Sequence, residues 1–290
     1  MSVTPDKLQS NVKQSHAGDP SDDDFVIRIS GLRKSFDKRE VLKDVNLSVR
    51  RGETVVIMGG SGCGKSTVLR HMIGVLTPDA GNLEVLGQDL KKLSDDGITD
   101  LRKRFGILFQ SGALYNSMTV SENVALPIRE HTDLAPEIID IIVKMKLEMV
   151  GLREAETLMP AQLSGGMRKR VGLARAIALD PEIIFYDEPT TGLDPIVGGV
   201  IDKLINDFKQ GLGVSSVVVT HDMNSAFRIA DRMVMLYDGH IVANGTPEEI
   251  RETENELVHQ FVHGEPDGPI PLKLSKVDYG ADLLTVPEDY

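Results

Sequence analysis

The sequence predicts an α/β fold in which a mixed β-sheet is interrupted by a helical insertion. Three observations carry that expectation. Short, continuous apolar runs such as Thr54–Met58 and Ile183–Tyr186 read as strands buried on both faces of a parallel sheet. A glycine-rich turn, Gly59 to Gly64, joins the first run to a helical stretch that begins at Lys65. Between Gln110 and Leu179 no strand signal recurs, and apolar residues fall at helical spacing instead.

The elements follow in chain order. Residues 1–24 are polar, lack apolar periodicity and carry a net charge of −3, so they read as a disordered segment. Val45, Leu47 and Val49 alternate with Asn46, Ser48 and Arg50, the pattern of a half-exposed antiparallel strand. Further buried strands are expected at Phe105–Phe109, Ser216–Val219 and Met233–Tyr237. In the insertion, about 110–179, the residues Ile138, Ile141, Ile142, Met145 and Met149 mark a helix. Asp238-Gly239 is a hairpin turn leading into His240–Ala243. Thr246-Pro-Glu-Glu249 is a capping box with proline at the first helical position, opening a final helix. Residues 264–290 carry Pro266, Pro269, Pro271 and Pro287 and read as an extended tail of net charge −4. Leu272, Leu274, Leu283, Leu284 and Tyr290 could dock it, and a second copy of the chain is the expected surface.

Composition narrows the function classes. The 290 residues carry a formal charge of −12, of which the body between the tails holds the smaller part. An acidic body is a poor match for nucleic-acid phosphates, so no nucleic-acid partner is expected. A single cysteine, Cys63, excludes an intramolecular disulfide framework. No apolar stretch approaches the length of a membrane span, and the N-terminus lacks the pattern of a secretory signal. Tryptophan is absent and aromatics are 4%, which argues against a large aromatic binding surface.

The chemistry is concentrated in three segments. Gly59-Gly-Ser-Gly-Cys-Gly64-Lys65-Ser66 has the spacing of a phosphate-binding loop. Glycines let backbone N–H groups turn onto phosphate oxygens, and the following helix aims its positive end at the same place. Gly59, Gly60, Ser61, Gly62, Cys63, Gly64, Lys65, Ser66 and Thr67 are therefore expected around a nucleotide, with Lys65 on the β- and γ-phosphates and Ser66 on Mg²⁺. The run Ile183 to Tyr186 ends in Asp187 and Glu188. Asp187 is expected to hold Mg²⁺ through water, and Glu188 to polarise the attacking water. Leu163-Ser-Gly-Gly-Met167 opens a helix with Ser164 as N-cap, a second anion site formed by Ser164, Gly165 and Gly166. One chain needs a single loop for its own γ-phosphate, so the second site suggests service to a partner's nucleotide.

With these features the chain resembles the ATPases of ATP-binding cassette (ABC) transporters, over about Phe25 to Val262. Leu163 to Gly166 looks like the family signature, Gln110 its glutamine loop, Gly192-Leu-Asp194 its D-loop, and His221 its switch histidine. Phe36 stands where the family places an aromatic that stacks on adenine. Taken singly, Gln110 also fits a solvated strand end, His221 a helix cap, and Phe36 the core. The resemblance implies a P-loop NTPase (RecA-like) core with an antiparallel β subdomain and an inserted α-helical subdomain. It implies ATP and Mg²⁺ as cofactors, the metal held by Ser66 and Gln110 with Asp187 nearby. Lys65, Glu188 and His221 are the expected catalytic residues. Two copies would pair head to tail, each ATP lying between one chain's phosphate loop and the other's Ser164–Gly166, with Asp194 at the same interface.

The departure is Met167, where the family usually carries glutamine. Methionine cannot form comparable hydrogen bonds, so packing must replace any such contact. Leu-Ser-Gly-Gly-Met also resembles the ATPases of Mla-type and Mce-type lipid transporters, as do Ser111 to Tyr115, Met118 to Pro127 and Leu126 to Thr132. That resemblance implies an ATPase at the cytoplasmic face of a Gram-negative inner membrane. Its partners would be an integral-membrane permease, an Mce-domain protein and a STAS-domain regulator. The cargo would be phospholipid, in the service of outer-membrane lipid asymmetry. Two other readings stay open here: an importer ATPase for polar solutes such as amino acids, and a soluble ABC protein acting on translation or DNA.

Overall fold

The computed structural model describes residues 24–37 and 39–270. The expectations for residues 1–23 and for the tail from 271 onward lie outside the described residues. The first half runs β1 (Phe25–Phe36), β2 (Arg39–Arg50), β3 (Thr54–Met58), α1 (Lys65–Met72), β4 (Ala80–Val85), β5 (Gln88–Asp89), α2 (Asp95–Arg102) and β6 (Phe105–Leu108). Three helices follow: α3 (Val120–His131), α4 (Pro136–Met149) and α5 (Gly165–Ala176). The chain then runs β7 (Ile183–Asp187), α6 (Pro195–Leu212), β8 (Ser215–Val219), α7 (Met223–Ile229), β9 (Arg232–Tyr237), β10 (His240–Gly245), α8 (Pro247–Arg251) and α9 (Glu256–His263).

The strands form two sheets, a mixed core sheet and the separate antiparallel one that the resemblance implies. A six-stranded sheet has the order β10-β9-β3-β8-β7-β6, parallel except for the β9–β10 hairpin. Its central strands are buried on both faces, as continuous apolar sequence requires. The pleat sends alternate residues into different cores. Val56, Met58, Ile184 and Tyr186 enter a cluster with the inserted helices. Val55, Ile57, Ile183 and Phe185 enter a second cluster with β1, β2, β4 and α1. A four-stranded antiparallel sheet, order β2-β1-β4-β5, covers that second cluster.

The local signals formed as their chemistry demands. Asp238 and Gly239 both take positive φ in the two-residue turn that pairs Tyr237 with His240. Thr246 and Glu249 exchange the two hydrogen bonds of a capping box, but the helix they open, α8, ends at Arg251 and α9 follows it, so it is not the final helix expected. Strand β1 gave no clear alternation because it is bulged. Its register with β2 shifts around Gly31, whose N–H bonds to Asn46. Opposite, a Cβ at Gly81 would lie 2.3 Å from the Gly31 carbonyl oxygen, so the two backbones meet at glycine.

The helix marked by Ile138 to Met149 forms as α4, and its packing chooses between two apolar faces. Ile138, Ile141, Met145 and Met149 are exposed, while Ile139, Val143 and Leu147 are buried with the stem of Lys146. The segment is apolar enough to satisfy two helical faces, and packing against α3 and α5 selected the second. Lys146 is carried inward because Asp180 pairs with its ammonium. After α9, Ile270 is tied back to the buried Gln260: its N–H donates to Gln260 Oε1 at 2.7 Å.

Candidate functional site

Strand β3 delivers the chain into the glycine-rich loop, and the loop is glycine for steric reasons. Gly59 has φ +147°, and a Cβ there would stand 2.2 Å from the Leu236 carbonyl oxygen. Gly64 has φ +110°, and a Cβ would strike Leu42 at 2.7 Å. Both glycines let the loop close against β2 and β9 before α1 begins. Lys65, 9% exposed, folds back over the loop, and its Nζ donates to the carbonyls of Gly59 at 2.7 Å and Gly60 at 3.0 Å. Its charge therefore sits against the loop's first two carbonyls. Cys63 faces Gly59, and burial raises its thiol pKa against the opposing pull of Lys65.

The sheet brings Asp187 and Glu188 to this loop. Asp187 ends β7 close to Ser66 at the start of α1. Burial raises its pKa, the neighbouring Glu188 carboxyl raises it further, and Arg70, Ser66 and Lys65 pull the other way. Among the described residues, no group of three or more His, Cys, Asp or Glu side chains gathers into a self-sufficient metal site. A hydroxyl, an amide and a carboxylate from Ser66, Gln110 and Asp187 suit a hard cation that also binds phosphate and water oxygens. Gln110 is exposed just beyond the end of β6.

Glu188 is the most constrained residue of the site. Its φ is +52°, a left-handed conformation costing about 1–3 kcal/mol in a residue with a side chain. Four short contacts hold it there, besides a longer one from the Thr191 N–H to its carbonyl at 3.4 Å. Its N–H donates to Val219 O at 2.9 Å, and its carbonyl accepts from Lys169 Nζ at 2.7 Å. Thr191 Oγ1 donates to Oε2 at 2.9 Å, and His221 Nδ1 lies 2.9 Å from Oε1. A carboxylate only accepts, so the imidazole proton belongs on Nδ1 and Nε2 is left for another partner. The helix after His221 is capped by Asp222, which accepts from Ser225 N–H and from Thr190 Oγ1. His221 is therefore free of the capping role.

The signature segment is an N-terminal helix site. Ser164 Oγ accepts from Met167 N–H at 3.2 Å. Gly166 abuts α6, where a Cβ would lie 2.3 Å from Val197 Cγ1. Met167 packs against the main core, which explains methionine at a position otherwise polar. Asp194 caps α6, accepting from Ile196 N–H at 3.0 Å and Val197 N–H at 3.1 Å. Phe36 stands at the end of β1, 43% exposed, with Lys34 Nζ 5.7 Å from its ring centre. Sequence reasoning missed Lys169 and Thr191. Thr191 follows Glu188 closely enough to have been suspected, but nothing in the run Arg168-Lys-Arg170 distinguishes its buried member.

Beside the site, between β6 and the inserted helices, lies a groove of about 450 Å³. Phe109, Tyr115, Leu126, Pro127 and Arg175 line it. Arg175 donates to the carbonyls of Gly112 and Ala113 and lies over the Tyr115 ring, fixing one wall. None of the helices among the described residues is long and apolar enough to cross a membrane.

Known proteins share this arrangement. The ABC transporter family profile matches residues 42–191. The intermembrane phospholipid transport system ATP-binding protein MlaF of Haemophilus influenzae is 45% identical over 259 residues, covering 89% of this chain and 98% of that protein. MlaF of Escherichia coli is 46% identical over 246 residues, covering 85% and 91%. The "Probable ribonucleotide transport ATP-binding protein mkl" of Mycobacterium leprae is 41% identical, covering 87% of this chain and 72% of that protein. Among solved structures, a dimeric post-hydrolysis state of the ATP-binding cassette MJ0796 bound to ADP and Pi matches with a TM-score of 0.71 and 33% identity, covering 76% of this chain and 98% of that one. The cbiO1 subunit from Clostridium perfringens, part of the ABC transporter complex cbiONQ, matches with a TM-score of 0.74 and 28% identity, covering 84% and 96%. The phosphate loop, the acidic strand end and the signature helix thus sit in a fold shared with ATP-binding cassettes, and the chain belongs to the ABC transporter family of ATP-binding proteins.

Proposed function

We propose that this chain hydrolyses ATP to energise phospholipid transport through a separate integral-membrane permease. It acts as a peripheral subunit at the cytoplasmic face of the inner membrane and serves outer-membrane lipid asymmetry. The observation that carries the reading is the 45% identity to a phospholipid transport ATP-binding protein over 89% of this chain. Residues 25–263 form the ATPase domain, with a helical subdomain at about 110–179. The relatives named above favour this reading over an amino-acid importer.

The site supports a direct chemistry. The amides from Gly59 to Thr67 and the Lys65 ammonium bind and orient the phosphates of ATP, and Phe36 stacks on adenine. Ser66 and Gln110 would hold Mg²⁺, with Asp187 behind Ser66. When bound, the metal neutralises charge on the β- and γ-phosphate oxygens. Glu188 polarises the attacking water, and His221, oriented by its Nδ1 contact with Glu188, presents Nε2 to the γ-phosphate. Most of the acceleration comes from these prepositioned charges. Ser164, Gly165, Gly166 and Asp194 act on the nucleotide of a second copy in a head-to-tail dimer.

The groove lined by Phe109, Tyr115, Leu126 and Pro127 receives the permease. The exposed apolar face of α4 offers the STAS-domain regulator a docking surface, and an Mce-domain protein completes the assembly. The test is to purify the chain with its membrane partner and measure ATP turnover while adding phospholipid, ribonucleotide or amino acids separately. Stimulation by phospholipid alone is expected. Stimulation by a polar solute alone would replace this reading.

A further inference from the structure

The carboxylate at Glu188 is placed by its backbone as much as by its side chain, and one backbone contact comes from a distant element. Lys169 lies in the second turn of α5, is 4% exposed, and donates from Nζ to the Glu188 carbonyl at 2.7 Å. A buried lysine is costly unless its charge is compensated. Here the compensation is the end of β7 itself.

We propose that Lys169 is a positioning residue for ATP hydrolysis, tying helix α5 to the Glu188 backbone so that movements of the helix reach the carboxylate. The left-handed backbone of Glu188 needs an external hold, and Lys169 supplies the shorter of the two hydrogen bonds to its carbonyl, at 2.7 Å. The Thr191 N–H also approaches that carbonyl, but only at 3.4 Å. The other end of the link is equally defined. Gly112, two residues past Gln110, presses its backbone on α5, where a Cβ would lie 3.0 Å from Arg168 O. Gly172, one turn further along α5, would meet Gly112 O at 3.2 Å. Arg175 closes the contact by donating to Gly112 and Ala113. The turn after Gln110, helix α5, Lys169 and Glu188 thus form one continuous chain of contacts. Burial brings the Lys169 pKa down to about 8, and the carboxylates of Glu188 and Asp187 oppose that shift only in part. The proposal rests on the reading that Glu188 acts on the attacking water.

The experiment uses the full chain assembled with its membrane partner. Lys169→Met removes the donor and keeps the bulk. Lys169→Leu also lacks a donor and supplies a second neutral variant should the first not fold. Lys169→Arg keeps a cationic donor. Turnover, KM for ATP, affinity for a fluorescent ATP analogue and melting temperature are measured for each, beside Glu188→Gln. The expected pattern is a ten- to hundredfold fall in kcat for the neutral variants, because small misplacements of a reacting group cost about that much. KM and analogue affinity stay within about twofold, and Lys169→Arg recovers most of the loss. Turnover within twofold of the parent in a folded neutral variant overturns the proposal. So does a parallel collapse of nucleotide affinity, or a folded Lys169→Arg that is as slow as Lys169→Met. If Glu188→Gln itself turns over normally, the reading of Glu188 falls; if it is inactive while Lys169→Met is normal, only the role of Lys169 falls.

Discussion

Gly166→Ala isolates one methyl group between two functional helices. The new Cβ would lie 2.3 Å from Val197 Cγ1, where ordinary contact begins at 3.4 Å, so α5 and α6 must part by about 1.1 Å or Val197 must rotate. Rotation is unfavourable, because a valine in a helix has one strongly preferred rotamer. Overpacking of this kind costs about 1–3 kcal/mol, and replacing glycine by alanine within a helix returns at most about 1 kcal/mol. With the full return the net loss is about 0–2 kcal/mol, or a fall in melting temperature of up to about 8 °C. The functional loss is expected to be larger than that. The displaced turn carries Ser164 and faces the helix capped by Asp194, and a shift near 1 Å costs on the order of a hundredfold in rate. Thermal unfolding and steady-state ATP turnover are read together. Gly165→Ala is the stability control, since its Cβ would meet Leu193 at an ordinary 3.6 Å. Adding Val197→Ala should recover both quantities, with a coupling of about 0.5–3 kcal/mol. A double variant no better than Gly166→Ala alone, or a fully active Gly166→Ala, would refute the steric argument.

Three further outcomes are expected. Glu188→Gln should bind ATP normally, accumulate as a dimer and lose about a hundred- to ten-thousandfold in turnover; near-normal hydrolysis would remove Glu188 from the reaction. Cys63 should react slowly with a maleimide at neutral pH and faster as pH rises, because burial raises its pKa. The adduct should abolish turnover and bound ATP should slow its formation, whereas full activity after complete labelling would contradict the placement of Cys63 at the phosphates. Phe36→Ala should weaken ATP binding by about 1–2 kcal/mol, a five- to thirtyfold rise in KM with kcat little changed, and an unchanged KM would exclude stacking on adenine.

What could be read from the sequence was local. The phosphate loop declares itself through glycines whose spacing is set by backbone geometry, and Gly59 and Gly64 do stand where a Cβ has no room. The parallel strands are continuous apolar runs, and Asp238-Gly239 and Thr246–Glu249 carry their turn and cap within a few residues. What could not be read depends on contacts made across the fold. Helix α4 has two apolar faces, and only its neighbours decide that Ile139 is buried and Ile138 is not. Strand β1 lost its alternation to bulges that answer the β4 backbone. Lys169 looks like one of three adjacent basic residues until the fold sets it against Glu188. The tightness of Gly166 against Val197 is likewise invisible without α6 in place.

The central claim is that ATP turnover at this site moves phospholipid. The most direct measurement embeds the chain with its membrane partner in vesicles and follows transfer of a fluorescent phospholipid to acceptor vesicles. Transfer that requires ATP and stops with Glu188→Gln is the expected result. Normal ATP hydrolysis by the same assembly with no ATP-dependent movement of phospholipid would contradict the account.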